Sequence, residues 1–267
     1  MIIQATQFKI LIILSVLFSI ITACADVDLE PHARIFNSAV WDKNESLKYE
    51  LTRNGYVEGY CVVEITSKGD GTTHLIQNCT DAFGYGYTDE RRTYVGEKDL
   101  KPISSIRIID NPKKMERRHF SAKYFYDDVG QNRVVFETKE FKGSEKLPIR
   151  TLEASRNLPT SSSLVPTPVW YDDDSIFWLI RGITYNEGFQ ASFTDVNAAT
   201  GRVFSAHLEV EGREIVNVPF GEFEVWKIKL ETATIKQYLW VEIDPPHRIV
   251  RAKLEDLIYE LLLSTSQ

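Results

Sequence analysis

The sequence predicts a mainly β protein built on one continuous antiparallel sheet, and three observations predict it. Apolar and polar residues alternate with period two from Ser46 nearly to Leu263. Turn formers interrupt that alternation at short intervals. Tyrosine, phenylalanine, valine and threonine fill the segments between turns while methionine is scarce, as strand-rich chains require. Short loops between such strands imply antiparallel neighbours, so the pattern reads as a meander.

In the first half, the alternation places strands at Ser46 to Arg53, Val57 to Thr66, Thr73 to Thr80, Ser104 to Ile109, His119 to Tyr126, Arg133 to Lys139 and Ile149 to Glu153. In the second half they fall at Phe189 to Asn197, Arg202 to Glu211, Glu214 to Val218, Phe223 to Glu231, Ile235 to Ile243, Ile249 to Leu254 and Ile258 to Leu263. Tight turns are expected at 127–130, 197–201, Gly212-Arg213, 219–221 and 244–246. The long break is 154–168, a Pro- and Ser-rich loop that acts as a linker or a lid. After it, Asp172-Asp173-Asp174-Ser175 precedes Ile176, Phe177, Leu179 and Ile180, the signature of an acid-capped short helix ending at Gly182. A strand over 175–181 is the alternative, because Ile, Phe and Trp are also good strand formers.

The chain opens with Lys9 and an apolar run from Ile10 to Ala23, too short for a comfortable span and fit for the core of a secretory signal over residues 1–25. Ile21-Thr22-Ala23-Cys24 resembles a bacterial lipobox, which makes Cys24 a lipidation site and tethers the protein to a membrane. With Ala25 after the cysteine, that resemblance implies sorting to the outer membrane where the host has one. The competing site, Ala23-Cys24-Ala25, discards Cys24 and releases a soluble periplasmic or secreted protein from Asp26. Residues 26–267 then form a single exported domain.

Setting Cys24 aside leaves Cys61 and Cys79, an even remainder in a compartment where disulfides persist. Between them lies a hairpin signal whose turn, if centred on Asp70, opposes Ile65 to Leu75, Val63 to Gln77 and Cys61 to Cys79. The alternative is two reduced, buried cysteines, and a two-residue Asp70-Gly71 turn would shift the register by one and oppose Cys61 to Thr80.

The chain carries 31 basic against 38 acidic residues, net −7, which argues against a generic nucleic-acid binder. The local run Lys113-Lys114-Met115-Glu116-Arg117-Arg118-His119 reads as a solvated turn or as a contact for anionic headgroups. The five histidines are scattered without metal-ligand spacing, and no nucleophile elbow, P-loop or dinucleotide fingerprint is present. No cofactor and no metal are expected. The Asp172 to Asp174 run lacks the spacers and closing Glu of a calcium loop, and His247 beside two prolines reads as a turn residue. Trp170, Trp178, Trp226 and Trp240 either pack the core or line an apolar ligand-binding concavity.

Three segments carry a family likeness: 174–181, D-S-I-F-W-L-I-R; 218–227, V-P-F-G-E-F-E-V-W-K; and 239–251, L-W-V-E-I-D-P-P-H-R-I-V-R. Together with the region from Tyr49 to Gly59, they resemble the exported bacterial family catalogued as domain of unknown function 3108. The resemblance implies a single curved antiparallel sheet or half-open β-barrel with one or two short covering helices, similar to Lol-type lipoprotein carriers. The cysteine pair and the 154–168 segment depart from that family. It brings no catalytic residues with it.

The expected function is therefore a non-enzymatic envelope protein that shelters a lipid or other hydrophobic ligand. A structural or assembly lipoprotein acting through its surface is the alternative, and an envelope hydrolase comes last.

Overall fold

The computed structural model describes residues 35–36, 41, 44–81, 86–97, 100–126, 132–158, 170–233 and 235–266. The signal segment 1–25 with Cys24 and the portion of the 154–168 loop from residue 159 lie outside them.

Among the described residues, fifteen strands form one sheet. The first eight are β1 Asn44–Arg53, β2 Tyr56–Ser67, β3 Thr72–Thr80, β4 Thr88–Gly96, β5 Pro102–Asn111, β6 Glu116–Phe125, β7 Arg133–Lys142 and β8 Arg150–Asn157. After β9, Trp170–Asp172, comes helix α1, Asp173–Leu179, closed by a 3-10 turn over Ile180–Gly182. The rest are β10 Gln190–Asn197, β11 Arg202–Val218, β12 Gly221–Thr232, β13 Lys236–Glu242, β14 Ile249–Leu254 and β15 Leu257–Ser266.

Across the sheet the order is β8-β7-β6-β5-β4-β3-β2-β1-β15-β14-β13-β12-β11-β10-β9. Neighbours are antiparallel except β9, which runs parallel to β10. The meander is therefore two runs of hairpins joined by the pairing of β1 with β15. The sheet curls. Helix α1 packs on both β4 and β10, which lie far apart in the strand order. Ser105 of β5 and Tyr124 of β6 both donate to Asp172 of β9, 2.6 and 2.5 Å. The two outer strands of the order are not hydrogen-bonded to each other, so the barrel stays open.

Alternation sets the core, as period two demands. Leu47, Tyr49 and Leu51 of β1, Cys61, Val63 and Ile65 of β2, and Leu75 and Cys79 of β3 face inward and are buried. Asp172 caps α1 as expected, its Oδ1 accepting from the Asp174 amide at 2.9 Å. The resemblance's curved sheet with a helix on its concave side matches this arrangement.

Cys61 opposes Cys79 in the β2–β3 register, and a disulfide joins them. Replacing both by alanine is expected to cost about 3 kcal/mol in urea unfolding, from the loop the bridge closes. A reductant should shift the wild-type midpoint by the same amount.

Four expectations need correction. Strand β4 was not legible, because its inward positions include Asp89, Arg91 and Thr93 rather than apolar residues. Strand β9 was not expected either, its three residues being too few to show a period. Gly212-Arg213 is no turn: β11 runs through it with a register shift, and Gly212 sits at φ +152. The loop expected at 154–168 starts later, since residues 154–157 contain no Gly or Pro and continue β8 along the β7 edge.

Candidate functional site

Between α1 and the concave face lies a cavity of about 310 Å³. One wall is apolar: Leu230, Leu239, Ala252, Leu254 and Leu257 from β12 to β15, with Ile176 and Phe177 of α1 opposite. The floor is polar, built by Gln77 of β3, Arg91 of β4, Arg107 of β5, and Asp173 and Asp174 of α1. Ile235 and Lys253, both exposed, are also among its lining, so it reaches the surface on that side.

The floor is held by a charge network. Asp89, buried on β4, accepts from Arg91 Nη2 at 2.9 Å and from Arg107 Nε and Nη2 at 2.9 and 2.8 Å. Arg91 Nη1 donates to Asp174 at 3.1 Å, tying the sheet to α1. Burial alone would raise the Asp89 carboxyl, but the two guanidinium groups outweigh it and hold it at about 2.

The acids beside them are not so compensated. Burial and then the Asp174 charge push Asp172 up to about 7, although Ser105 and Tyr124 donate to it. Asp173, whose carboxylate accepts from Asn197 Nδ2 at 2.8 Å, is raised to about 6 by burial and then by Asp174. Asp195 on β10 is raised furthest, to about 9, by burial and then by Asp173, Asp172 and Asp174, and among the described residues its Oδ1 has no hydrogen-bond partner. The floor therefore presents hydrogen-bonding groups of both signs beneath an oily wall.

None of the four tryptophans lines this cavity. Trp178 and Trp226 belong to the main core, where Trp226 stacks on Tyr185, and Trp240 donates its indole N–H to Glu214. Trp170 lies in a smaller cluster, stacked on Tyr124 and Tyr126. All four rings are buried and make aromatic or hydrogen-bond contacts, Trp178 from helix α1 and the others from strands. The polar floor escaped sequence reading, since Gln77, Arg91 and Arg107 come from three strands and share no local motif.

His247 is a turn residue as expected, its Nδ1 facing the Glu242 carbonyl at 3.1 Å. Among the described residues a serine–histidine contact does exist, Ser192 Oγ to His207 Nδ1 at 3.2 Å. It lies exposed on the sheet. Glu231, opposite His207 in the β11–β12 register, is paired with Lys229 instead at 3.0 Å.

No family model matches the chain, and no curated protein matches it. The likeness to domain of unknown function 3108 thus rests on the quoted motifs alone. Among solved structures, one that is similar is a β-barrel-like protein of domain of unknown function 1849 from Brucella abortus, at 12% identity and TM-score 0.49. The match covers 87% of this chain and 99% of that one. Another is a protein assigned as exported, with a YmcC-like fold, from Bacteroides fragilis, at 12% identity and TM-score 0.33, covering 88% of this chain and 100% of that one. Likeness at this level transfers no property, so the fold described above rests on the strand pairing itself.

Proposed function

We propose that this is a non-enzymatic protein of the bacterial envelope, exported by residues 1–25 and tethered through Cys24, that holds one single-chain amphiphile in the cavity under α1. The observation that carries this reading is the cavity's division into an apolar wall and a polar floor. Ligand pockets span roughly 300–1,000 Å³, and about 310 Å³ lies at the small end, which favours one acyl chain over a two-chain lipid.

The serine–histidine contact lies exposed and engages no acid among the described residues, which favours binding over hydrolysis. The alternative, an assembly protein acting through its surface, draws support from β8, exposed along most of its length at the edge of the sheet.

Extraction of the purified protein followed by mass spectrometry tests the proposal, with uptake of a fluorescent fatty acid as a second readout. Retained single-chain amphiphile is expected from the wild type. Ala252→Phe should reduce retention and uptake more than tenfold by filling the cavity, at a stability cost of about 1–3 kcal/mol. A wild type that retains nothing and takes up no probe would remove the carrier reading and leave the assembly one. Intact mass reports acylation at Cys24 in the same sample.

A further inference from the structure

Antiparallel pairing places the β1–β2, β5–β6, β7–β8, β12–β13 and β14–β15 turns at one end of the sheet. That end is unusually apolar for a solvent-facing rim. Among the described residues, five large apolar side chains are more than three-fifths exposed, and four of them lie there: Tyr56 at 77%, Met115 at 63%, Leu147 at 78% and Ile149 at 63%. Three of those four sit on two turns that touch, because the Gly143 amide donates to the Met115 carbonyl at 2.7 Å.

The same two turns are strongly basic. Over 112–118 and 142–150 the chain carries seven cations, among them Lys114, Lys142 and Lys146, against Glu116 and Glu145. The whole chain is net −7, so positive charge is concentrated here against the general balance. Beside the first turn, a groove of about 470 Å³ is lined by Lys114, Arg118 and Phe120, with Glu116 also on its rim. Exposed apolar tips flanked by lysines are the arrangement that enters a headgroup layer while its charges meet anionic lipid.

We propose that the paired β5–β6 and β7–β8 turns dock this protein on an anionic lipid surface. Met115, Leu147 and Ile149 insert at the headgroup level, and the surrounding lysines and arginines contact lipid phosphates. Ile235, Leu254 and Leu257, which line the cavity, belong to strand ends at this same end, so docking sets the cavity mouth on the membrane side. The docking itself needs no ligand in the cavity.

The test is co-sedimentation of residues 26–267, which carry neither the apolar leader nor Cys24, with vesicles of phosphatidylcholine alone or with about one-third phosphatidylglycerol. Binding is expected only to the anionic vesicles, falling away as salt is raised from about 0.1 M to about 1 M. Lys114→Gln with Lys146→Gln should weaken it about 30-fold. Met115→Asp with Leu147→Asp should abolish it, while far-ultraviolet circular dichroism stays unchanged at these exposed sites. Equal binding to both vesicle types, or indifference to either pair of substitutions, would overturn the proposal. So would binding to heparin that matches vesicle binding and survives the two aspartate substitutions, which would mark a general polyanion contact. Fatty-acid uptake without vesicles should be untouched by the lysine pair, which separates failure of docking from failure of the cavity.

Discussion

Replacing Arg181 by alanine is expected to destabilise the fold by about 3–5 kcal/mol, the largest single effect among the substitutions considered. Arg181, in the turn that ends α1, is 1% exposed and lies against Glu45 of β1 with Nη1 to Oε2 at 2.7 Å and Nη2 to Oε1 at 3.3 Å. Its remaining donors reach the carbonyls of Pro246 and His247 at 2.8 and 3.0 Å. One guanidinium thus joins α1, β1 and the β13–β14 turn. Removing it leaves a buried carboxylate without its counter-charge and two carbonyls without a donor. Urea unfolding measures the loss. Glu45→Leu combined with Arg181→Met should recover a large part of it, since no charge is then stranded, but the two carbonyls remain unmet. A cost below about 1 kcal/mol for Arg181→Ala would show that water replaces the ion pair without difficulty.

Stability is expected to fall steadily as pH rises from about 4 to about 9, and Asp195→Asn is expected to flatten that decline. The folded pKa of Asp195 is raised to about 9 from an ordinary value of 3.8, by burial and then by its acidic neighbours. A raised folded value means that the acid favours the fold fully below 3.8, and that this contribution is lost as pH climbs through about 9. Asp172 adds the same sign up to about 7. The groups facing Asp195 are Asp172 of β9 and Asp173 and Asp174 of α1, with Arg91 and Arg107 beyond them already engaged by Asp89 and Asp174. Below about pH 4 the trend reverses, because Asp89 is held at about 2 and its contribution is lost as it takes up a proton. Thermal unfolding of wild type and Asp195→Asn from pH 4 to pH 9 reads the effect. The variant should be close to wild type at pH 4 and more stable by about 2–4 kcal/mol at pH 8. Parallel curves would show that Asp195 ionises freely in the fold.

The parts of the fold legible in the sequence were those where local chemistry and the final environment agree. The Cys61 and Cys79 register followed from a turn centred on Asp70, whose carboxylate accepts from the Thr72 amide at 2.9 Å. Helix α1 followed from its acidic cap. Strand β4 did not, because the charges at its inward positions answer to partners on β5 and α1, which no local window contains. The candidate site was hidden for the same reason: its floor is an agreement among residues from β3, β4, β5 and α1. The tryptophans were open to two readings, since a ring that fills a core and a ring that lines a cavity look alike before the strands are paired, and none of the four lines the cavity under α1.

The seam between β1 and β15 has a consequence for how the molecule assembles. Tyr49 donates its hydroxyl to the Ile249 carbonyl across 200 residues of chain, and the halves on either side meet in the strand order only through that pairing. Each half is able to zip hairpin by hairpin from local contacts, while the join must wait for the most distant closure, a slow step by contact-order reasoning. Until β15 finds β1, the inner edges of both ribbons stand bare, and that interval is when the polypeptide is most open to pairing with a stranger.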